Sequence, residues 1–578
     1  MRSRFPIAFP LGALLLLLPL LPSRVLAQPG ETYRLNADRL EGSLTGQENV
    51  YTAIRPVLTH GTTTVTGDSA LVYREREFVL FRGNVKIVDG TTTMWGNEAS
   101  YERRQHLATL RGNVRIQEQG SRITGSTAYF YREKNLSVIT GSPRLVDSTR
   151  TLTADRIEYD RNTDVVLALG HVDAVDTAES TRVVAGRVRY DRRSDYAWAD
   201  QAPRLDLTEA GGIVTTVRSD SLEFDRVRDR VYARRNVQVE REKLRATAGQ
   251  AAFYRAENRA ILAQSPKAWD PEGSASGDTL EIRFVQNRVS SIQARPNAKV
   301  AYEAKADSGR AERTTASGDT ITLFMENDAA RRAVIVGNAT SHYWPSSVDS
   351  ANGGRNASSG DTIIVDFEDG KPSRAKVLGT GQGTYFLAAE GDTTGAEERE
   401  RVLYQGSEIS YDLRKNTVDI AGSSNVNYRD MKLRARTIHF DAETEKMRAE
   451  GNPVLEDGRD RIVGETMTYD LGIRRGAIEG GRTKYEQGYV TGQEVMRVTE
   501  NILDIKSGTY TTCDLPDPHY HFGSSKMRII LHDKVIARPV VFYMKHIPVL
   551  ALPFYVFPIN SNRHSGFLLP QVQFGSSS

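Results

Sequence analysis

The chain has 578 residues, 76 Lys and Arg against 73 Asp and Glu for a net charge of +3, 39% hydrophobic residues and one cysteine. The hydrophobic fraction lies below the ~45–50% of ordinary globular domains, which disfavours one large compact core and favours a thin, extended fold. Basic residues interspersed with acidic ones disfavour a nucleic-acid surface, and a lone Cys513 rules out a disulfide scaffold closed within the chain.

Residues 1–27 read as a secretory signal. Arg2 and Arg4 precede an apolar run that includes Leu14 to Leu18, and Val25-Leu26-Ala27 before Gln28 suits cleavage. A retained membrane anchor is the rival reading, but the run is short and contains prolines.

Residues 28–508 are dominated by an internal repeat. A small residue, a polar residue, then alternating apolar positions recur in "GNEASY" at Gly96, "ADRIEYD" at Ala154, "SDSLEFD" at Ser219 and "GETMTYD" at Gly464. Successive anchors lie about 29 residues apart, as in Gly67, Gly96, Gly125 and Ala154, with three longer intervals after Gly277, Gly318 and Gly360. Those intervals hold "SSVDSANGGRNASSGD" and "AAEGDTTGAEERERV", which read as loop insertions. A second motif keeps the same period: "GNVKI" from Gly83, "GNVRI" from Gly112, "GSPRL" from Gly141 and "GHVDA" from Gly170. "REREF", "ERRQH", "DRNTD" and "DLRKN" read as the turns.

The alternation has period two. Ile157 and Tyr159 face away from Arg156, Glu158 and Asp160, and Val114 and Ile116 oppose Asn113 and Arg115. This is a strand pattern with one dry and one wet face, and no helical spacing interrupts it. A two-stranded unit cannot bury its apolar face alone, but stacked units can. The expected fold is therefore all-β: an elongated β-solenoid, or β-taco, in which each unit adds one strand to each of two facing sheets. Fifteen units at ~4.8 Å per strand would span on the order of 70 Å. The space between the sheets is either plain core or a continuous apolar groove, and alternation alone leaves both open. If it is a groove, Val85, Ile87, Val114, Ile116, Ile157, Tyr159, Val237 and Val239 line it. Such a lining suits acyl chains, whose exposure to water costs ~0.8 kcal/mol per CH₂.

Residues 509–578 differ. They carry "GTYTTCDLPDPHYHF" from Gly508, "ARPVVFYMKHIPVLALPFYVFPI" from Ala537 and "NRHSGFLLPQVQFG" from Asn562. The stretch from Ile536 to Ile559 is apolar, but Pro539, Pro548, Pro553 and Pro558 would break a helix repeatedly, so extended segments are expected. Cys513, Asp514, Asp517, His519 and His521 could suggest zinc, yet no fourth ligand has motif spacing. His519 and His521, two apart on an extended strand, should point the same way. A catalytic Cys–His pair lacks an orienting group. The recurring acids could mimic paired glycosidase carboxylates, but their presence in nearly every unit fits solvated turns better. Phosphate loops, nucleophile elbows and H-E-x-x-H are absent, so neither an enzyme nor a cofactor is expected. Asn338 and Asn356 sit in common glycosylation-like triplets.

The repeats resemble the OstA-like units of lipopolysaccharide-transport proteins, which include a soluble bridge protein, LptA, an anchored one, LptC, and the periplasmic region of LptD. The order "YTTC", "PVVFY…LPFYVFP", then Arg563 before "SGFLLP" is similar to the passage of LptD-type proteins from periplasmic domain to outer-membrane barrel. The resemblance implies lipopolysaccharide transport and assembly, with acyl chains in the groove. It also implies edge-strand addition to an LptA-like bridge, an LptE-like lipoprotein inside the barrel, and an outer-membrane location with the repeats facing the periplasm. It further implies a disulfide from Cys513 to a barrel cysteine, and a barrel cut short at Ser578. Two other readings stay open: a soluble LptA-like bridge or scaffold, and a secreted β-solenoid that binds or cleaves glycans.

Overall fold

The computed structural model describes residues 34–558 apart from 46–47, 119, 179, 209–211, 287, 306–310, 327–328, 345–354, 369–370, 387–400, 458–459, 474, 486–487, 500 and 532. The signal, Arg563 and the "SGFLLP" motif lie outside the described residues. Among those described, the structure is strand and turn, with one 3-10 turn at Arg103–Gln105. Among the described residues, no helix is long and apolar enough to cross a membrane. The chain divides into two compact units: unit 1 comprises Met1–Ala298 with Met325–Asp328, and unit 2 comprises Lys299–Phe324 with Ala329–Ser578.

Unit 1 is an antiparallel meander whose strands each turn a corner. The strands Val165–Asp176 and Thr181–Asp191 pair from Val165↔Asp191 to Asp176↔Thr181, with a register shift between Leu169 and Val172. Gly170 and His171 form that bulge at φ +71° and +42°. On the preceding segment the strands Arg150–Thr153 and Arg156–Asp160 are split at Ala154-Asp155. The Asp155 N–H donates to the carbonyls of Leu169 and Gly170 at 3.1 and 2.9 Å, and its carboxylate meets His171 Nδ1 at 2.8 Å. The same contact recurs as Asn84 to Asp68 at 2.9 Å and Asn236 to Asp220 at 3.0 Å. The anchor dipeptide thus bends the chain, and its polar member satisfies the groups that the bulge unpairs. Its small member leaves room for the neighbouring side chain: a Cβ on Gly96 would lie 2.6 Å from Leu110 Cδ1.

Each 29-residue period therefore contributes two strands to each layer, where the alternating pattern led us to expect one. In the period from Gly96, Ser100 pairs with Thr109 in one layer and Arg115 with Thr124 in the other. The return stretches "LATL" and "SRIT" carry too few large apolar residues to stand out in sequence, and neighbouring strands decide their conformation.

Where an acid closes the strand, it builds the turn that follows. Asp191 accepts the N–H groups of Arg193 and Ser194 at 3.0 and 3.1 Å, and Asp441 accepts those of Glu443 and Thr444, both at 3.0 Å. Each turn then donates to the one before it. Arg192 N–H reaches the Asp164 carbonyl, Arg226 the Asp195 carbonyl and Arg255 the Asp229 carbonyl, at 3.1, 3.2 and 3.2 Å.

Unit 2 keeps the bulges but lengthens the strands to Ala329–Trp344, Arg355–Glu368 and Lys371–Phe386. The residues "RNASSGD", expected to be loop, open the strand Arg355–Glu368 and pair with Ala329–Trp344 through Ala339↔Gly360 and Tyr343↔Asn356. Partners on both sides outweigh the turn-rich composition. The rest of that interval, and residues 387–400, lie outside the described residues. The proline-rich end forms the strands Lys534–Met544, Ile547–Leu552 and Tyr555–Pro558, as expected.

Leu110, Ile116, Leu145, Leu205, Leu222, Leu262 and Leu280 are fully buried in unit 1, and Ile321, Ile335, Ile363 and Ile409 in unit 2. Each such side chain stabilises the fold by roughly 1.5–3 kcal/mol relative to its exposed state.

Candidate functional site: the apolar interior and its rim

In unit 1 the inward faces of both layers meet in one apolar space. Burial at the outer inward-facing positions differs from repeat to repeat. Beside the bend, Val85, Val114, Ile157 and Val237 are between 0 and 4% exposed, and Ile116, one inward position further out, is 1% exposed. One inward position further out, Ile87, Tyr159 and Val239 are only partly buried. A cavity of ≈ 90 Å³ lies between Leu207, Val217, Val239 and Ala246 of one layer and Phe253, Leu262, Ile282 and Ile292 of the other. Of the eight residues singled out from sequence, Val239 lines this cavity.

The rim of one layer is polar and repeats in register. Tyr159 donates to Asp164 at 2.9 Å, and Arg192 Nη1 meets both at 3.1 and 3.0 Å. One repeat on, Tyr190 donates to Asp195 at 2.8 Å, and Arg226 meets Asp195 at 3.1 Å. Burial, reinforced by Asp195, pushes the Tyr190 phenol up to about 12. Burial, then Asp164, raises that of Tyr159. Both phenols thus remain protonated donors. Arg255 continues the row against Asp229 at 2.7 Å.

The interior of unit 2 holds a cavity of ≈ 140 Å³ with a polar group inside it. Tyr404 Oη donates to Asn356 Oδ1 at 2.5 Å and lies 2.9 Å from Tyr411 Oη, which is 2.9 Å from Ser358 Oγ. Burial raises both phenols. Gly383 makes this packing possible, since a Cβ there would fall 2.0 Å from the Tyr404 ring.

The C-terminal cluster does not converge. Cys513 Sγ lies 3.6 Å from His519 Nδ1. His519 immediately precedes the strand Tyr520–Ile530. His521 instead stacks on Tyr543 at 4.7 Å. Among the described residues, no group of three or more His, Cys, Asp or Glu could hold a metal ion. The recurring acids are accounted for by turns and bulges. Asn338 also belongs to a bulge, at 3.2 Å from Asp319.

Sequence reasoning missed the arginine row of this rim. Its signal was available: Arg74, Arg103, Arg132, Arg161, Arg192, Arg226 and Arg255 each follow the last residue of an anchor strand.

An all-β repeat that turns two apolar faces inward defines the class, and the comparisons fit it. Residues 32–173 match the profile of the family described as OstA-like protein. The chain is similar to the LPS-assembly protein LptD of Bordetella avium, 26% identical over 169 residues, covering 28% of this chain and 20% of that protein. It is also similar to LptD of Acinetobacter baumannii, 25% over 161 residues, covering 27% and 20%, and of Nitrosomonas eutropha, 26% over 188 residues, covering 32% and 26%. The matched region thus spans about a fifth to a quarter of these relatives' own length. A crystal structure of LptH, the LptA-homologous periplasmic component of the lipopolysaccharide transport device from Pseudomonas aeruginosa, matches 20% of this chain and 93% of its own at 19% identity and a TM-score of 0.19.

Proposed function

We propose that the chain carries lipopolysaccharide toward the outer leaflet of an outer membrane, shielding the acyl chains between its two layers and changing no covalent bond. The observation that carries this reading is the apolar interior between the layers: packed at Val85, Val114 and Ile116, only partly buried at Ile87, Tyr159 and Val239, and hollow between Val239 and Phe253. Similarity to LptD proteins supports the choice of cargo.

In this reading residues 1–27 are a cleaved signal, 28–508 face the periplasm, and 509–578 begin the passage into a barrel. The described end of the chain is apolar and exposed, with Ile547 70%, Val549 56% and Phe554 64% accessible, which supports a membrane-proximal end. An LptA-like bridge would add to a free strand edge, an LptE-like lipoprotein would accompany the barrel, and Cys513 would pair with a cysteine further along.

The test is site-specific photocrosslinking in cells. A photoreactive residue at Val239 or Tyr159 should capture lipopolysaccharide, and one at outward-facing Gln238 should not. Equal capture from Gln238 and Val239 would sink the interior path.

A further inference from the structure

We propose that the outward face of unit 2 carries a binding cleft for a neutral saccharide chain, laid across the strands on the side of the sheet away from the interior. This does not rest on the acyl-chain reading, because the rows that form the cleft and the residues that line the interior alternate on opposite faces of the same strands.

The cleft is placed by alternation and register. A recess of ≈ 390 Å³ lies over the strands Ala329–Trp344, Arg355–Glu368, Lys371–Phe386, Arg401–Asp412 and Thr417–Tyr428. One row across it pairs Thr340 with Ser359, Ser359 with Gln382, Gln382 with Gln405 and Gln405 with Asn425. The second pairs His342 with Ala357, Ala357 with Thr384, Thr384 with Leu403 and Leu403 with Asn427. The residues between them, Ser341, Asn356, Ser358 and Tyr404, line the interior cavity, so the two rows point the other way. Five strands at ~4.8 Å spacing give a track on the order of 20 Å long, which fits several linked rings rather than one.

The chemistry of the two rows is uncharged. None of their ten positions is Asp, Glu, Lys or Arg. Outward faces elsewhere are laced with ion pairs: Arg182 with Asp173 and Arg234 with Glu223 in unit 1, at 2.7 and 2.6 Å, and Lys506 with Glu494 and Arg528 with Asp504 in unit 2, both at 2.7 Å. The Oδ1 atoms of Asn425 and Asn427 are buried with no hydrogen-bond partner. A buried acceptor left unmet is costly, and only a ligand bearing O–H or N–H groups meets it. Ionised phosphate and carboxylate bring acceptors, and an apolar chain brings neither, whereas each hydroxyl of a sugar is a donor as well as an acceptor. Beside the recess His342 stacks on Trp344 at 5.7 Å, and Arg313 covers that indole at 5.4 Å. An aromatic surface next to amides and hydroxyls suits a ring with an apolar face and a polar edge.

The test titrates the full chain with two neutral hexasaccharides, maltohexaose and chitohexaose, and with hexagalacturonate as their anionic counterpart. At least one neutral chain should bind with a Kd on the order of 1 mM or tighter, and about tenfold more tightly than hexagalacturonate. The double variant Asn425→Leu, Asn427→Leu should keep its thermal midpoint, because it removes unmet acceptors, yet lose about tenfold in affinity. Ala357→Trp, which fills the recess, should weaken binding as well, and Gln238→Ala on the outward face of unit 1 should not. Dodecanoate should not compete with the saccharide; competition would move the sugar into the interior and overturn the outward cleft while leaving the acyl-chain reading standing. Absence of saccharide binding, or equal binding by wild type and both recess variants, overturns the proposal. Self-association of wild type that Ala357→Trp abolishes, with no saccharide bound, also overturns it and assigns the face to a second copy of the chain.

Discussion

At the scale of single residues, the fold depends on side chains that manage backbone corners. Gly83 sits at φ +72°, and a Cβ there would approach Asp68 Oδ2 to 2.2 Å. Gly83→Val should cost about 1–3 kcal/mol locally, seen as faster hydrogen exchange across residues 68–86. Unaltered exchange there would show that the corner relaxes freely. The turn acids make a pH-dependent contribution. Backbone N–H groups, that of Ser194 foremost, hold Asp191 below the usual carboxylate range, and that of Thr444 does the same for Asp441. Because their folded values are depressed, the stability they give is full above the unfolded value of about 3.9 and is lost as pH falls through the folded one. The double variant Asp191→Asn, Asp441→Asn should therefore lose less of its urea resistance between pH 7 and pH 3 than wild type. An equal loss would assign acid sensitivity to other groups.

At the scale of elements, the strands were legible where alternation was strong, as in "RIEYD" and "NVRI", and the turns where Asp closed a strand. The return strands were not, because "LATL" and "SRIT" owe their conformation to pairing with neighbours rather than to their own composition. The opening residues of Arg355–Glu368 were misread for the same reason: Asn, Ser and Gly signal turns locally, yet both edges are paired. Of the candidate interior, sequence gave the facing of each residue but not its depth. Ile116 and Val239 alternate alike and hold equivalent positions in their repeats, yet one is packed core and the other lines a cavity. This depth has an energetic counterpart. Leu222, fully buried beside the bend, should cost about 2–5 kcal/mol on truncation to alanine, whereas Val239→Ala, at the cavity, should cost less. Denaturant midpoints for the two variants would check the order.

At the scale of the whole molecule, the two units share one way of bending strands and differ in what they present at the rim. Unit 1 carries arginine at the turn position that unit 2 fills with Leu413, Ala442, Leu471 and Leu531. Repeats that contact mainly their neighbours have stabilities that sum approximately from unit and interface terms, so damage in one period should stay local.

The anchor dipeptide has a further consequence. Gly125-Ser126 and Ala154-Asp155 occupy equivalent corners, with the strand Ser121–Tyr131 running through one and Arg156–Asp160 leaving the other. Splicing Gly125 directly to Asp155 removes one period yet preserves every type of contact on either side. Such a shortened chain should fold, as circular dichroism and resistance to proteolysis would show, whereas removing half a period should not. A lineage can thus change the length of this protein by whole-period duplication or loss, with each corner serving as a ready-made seam for recombination.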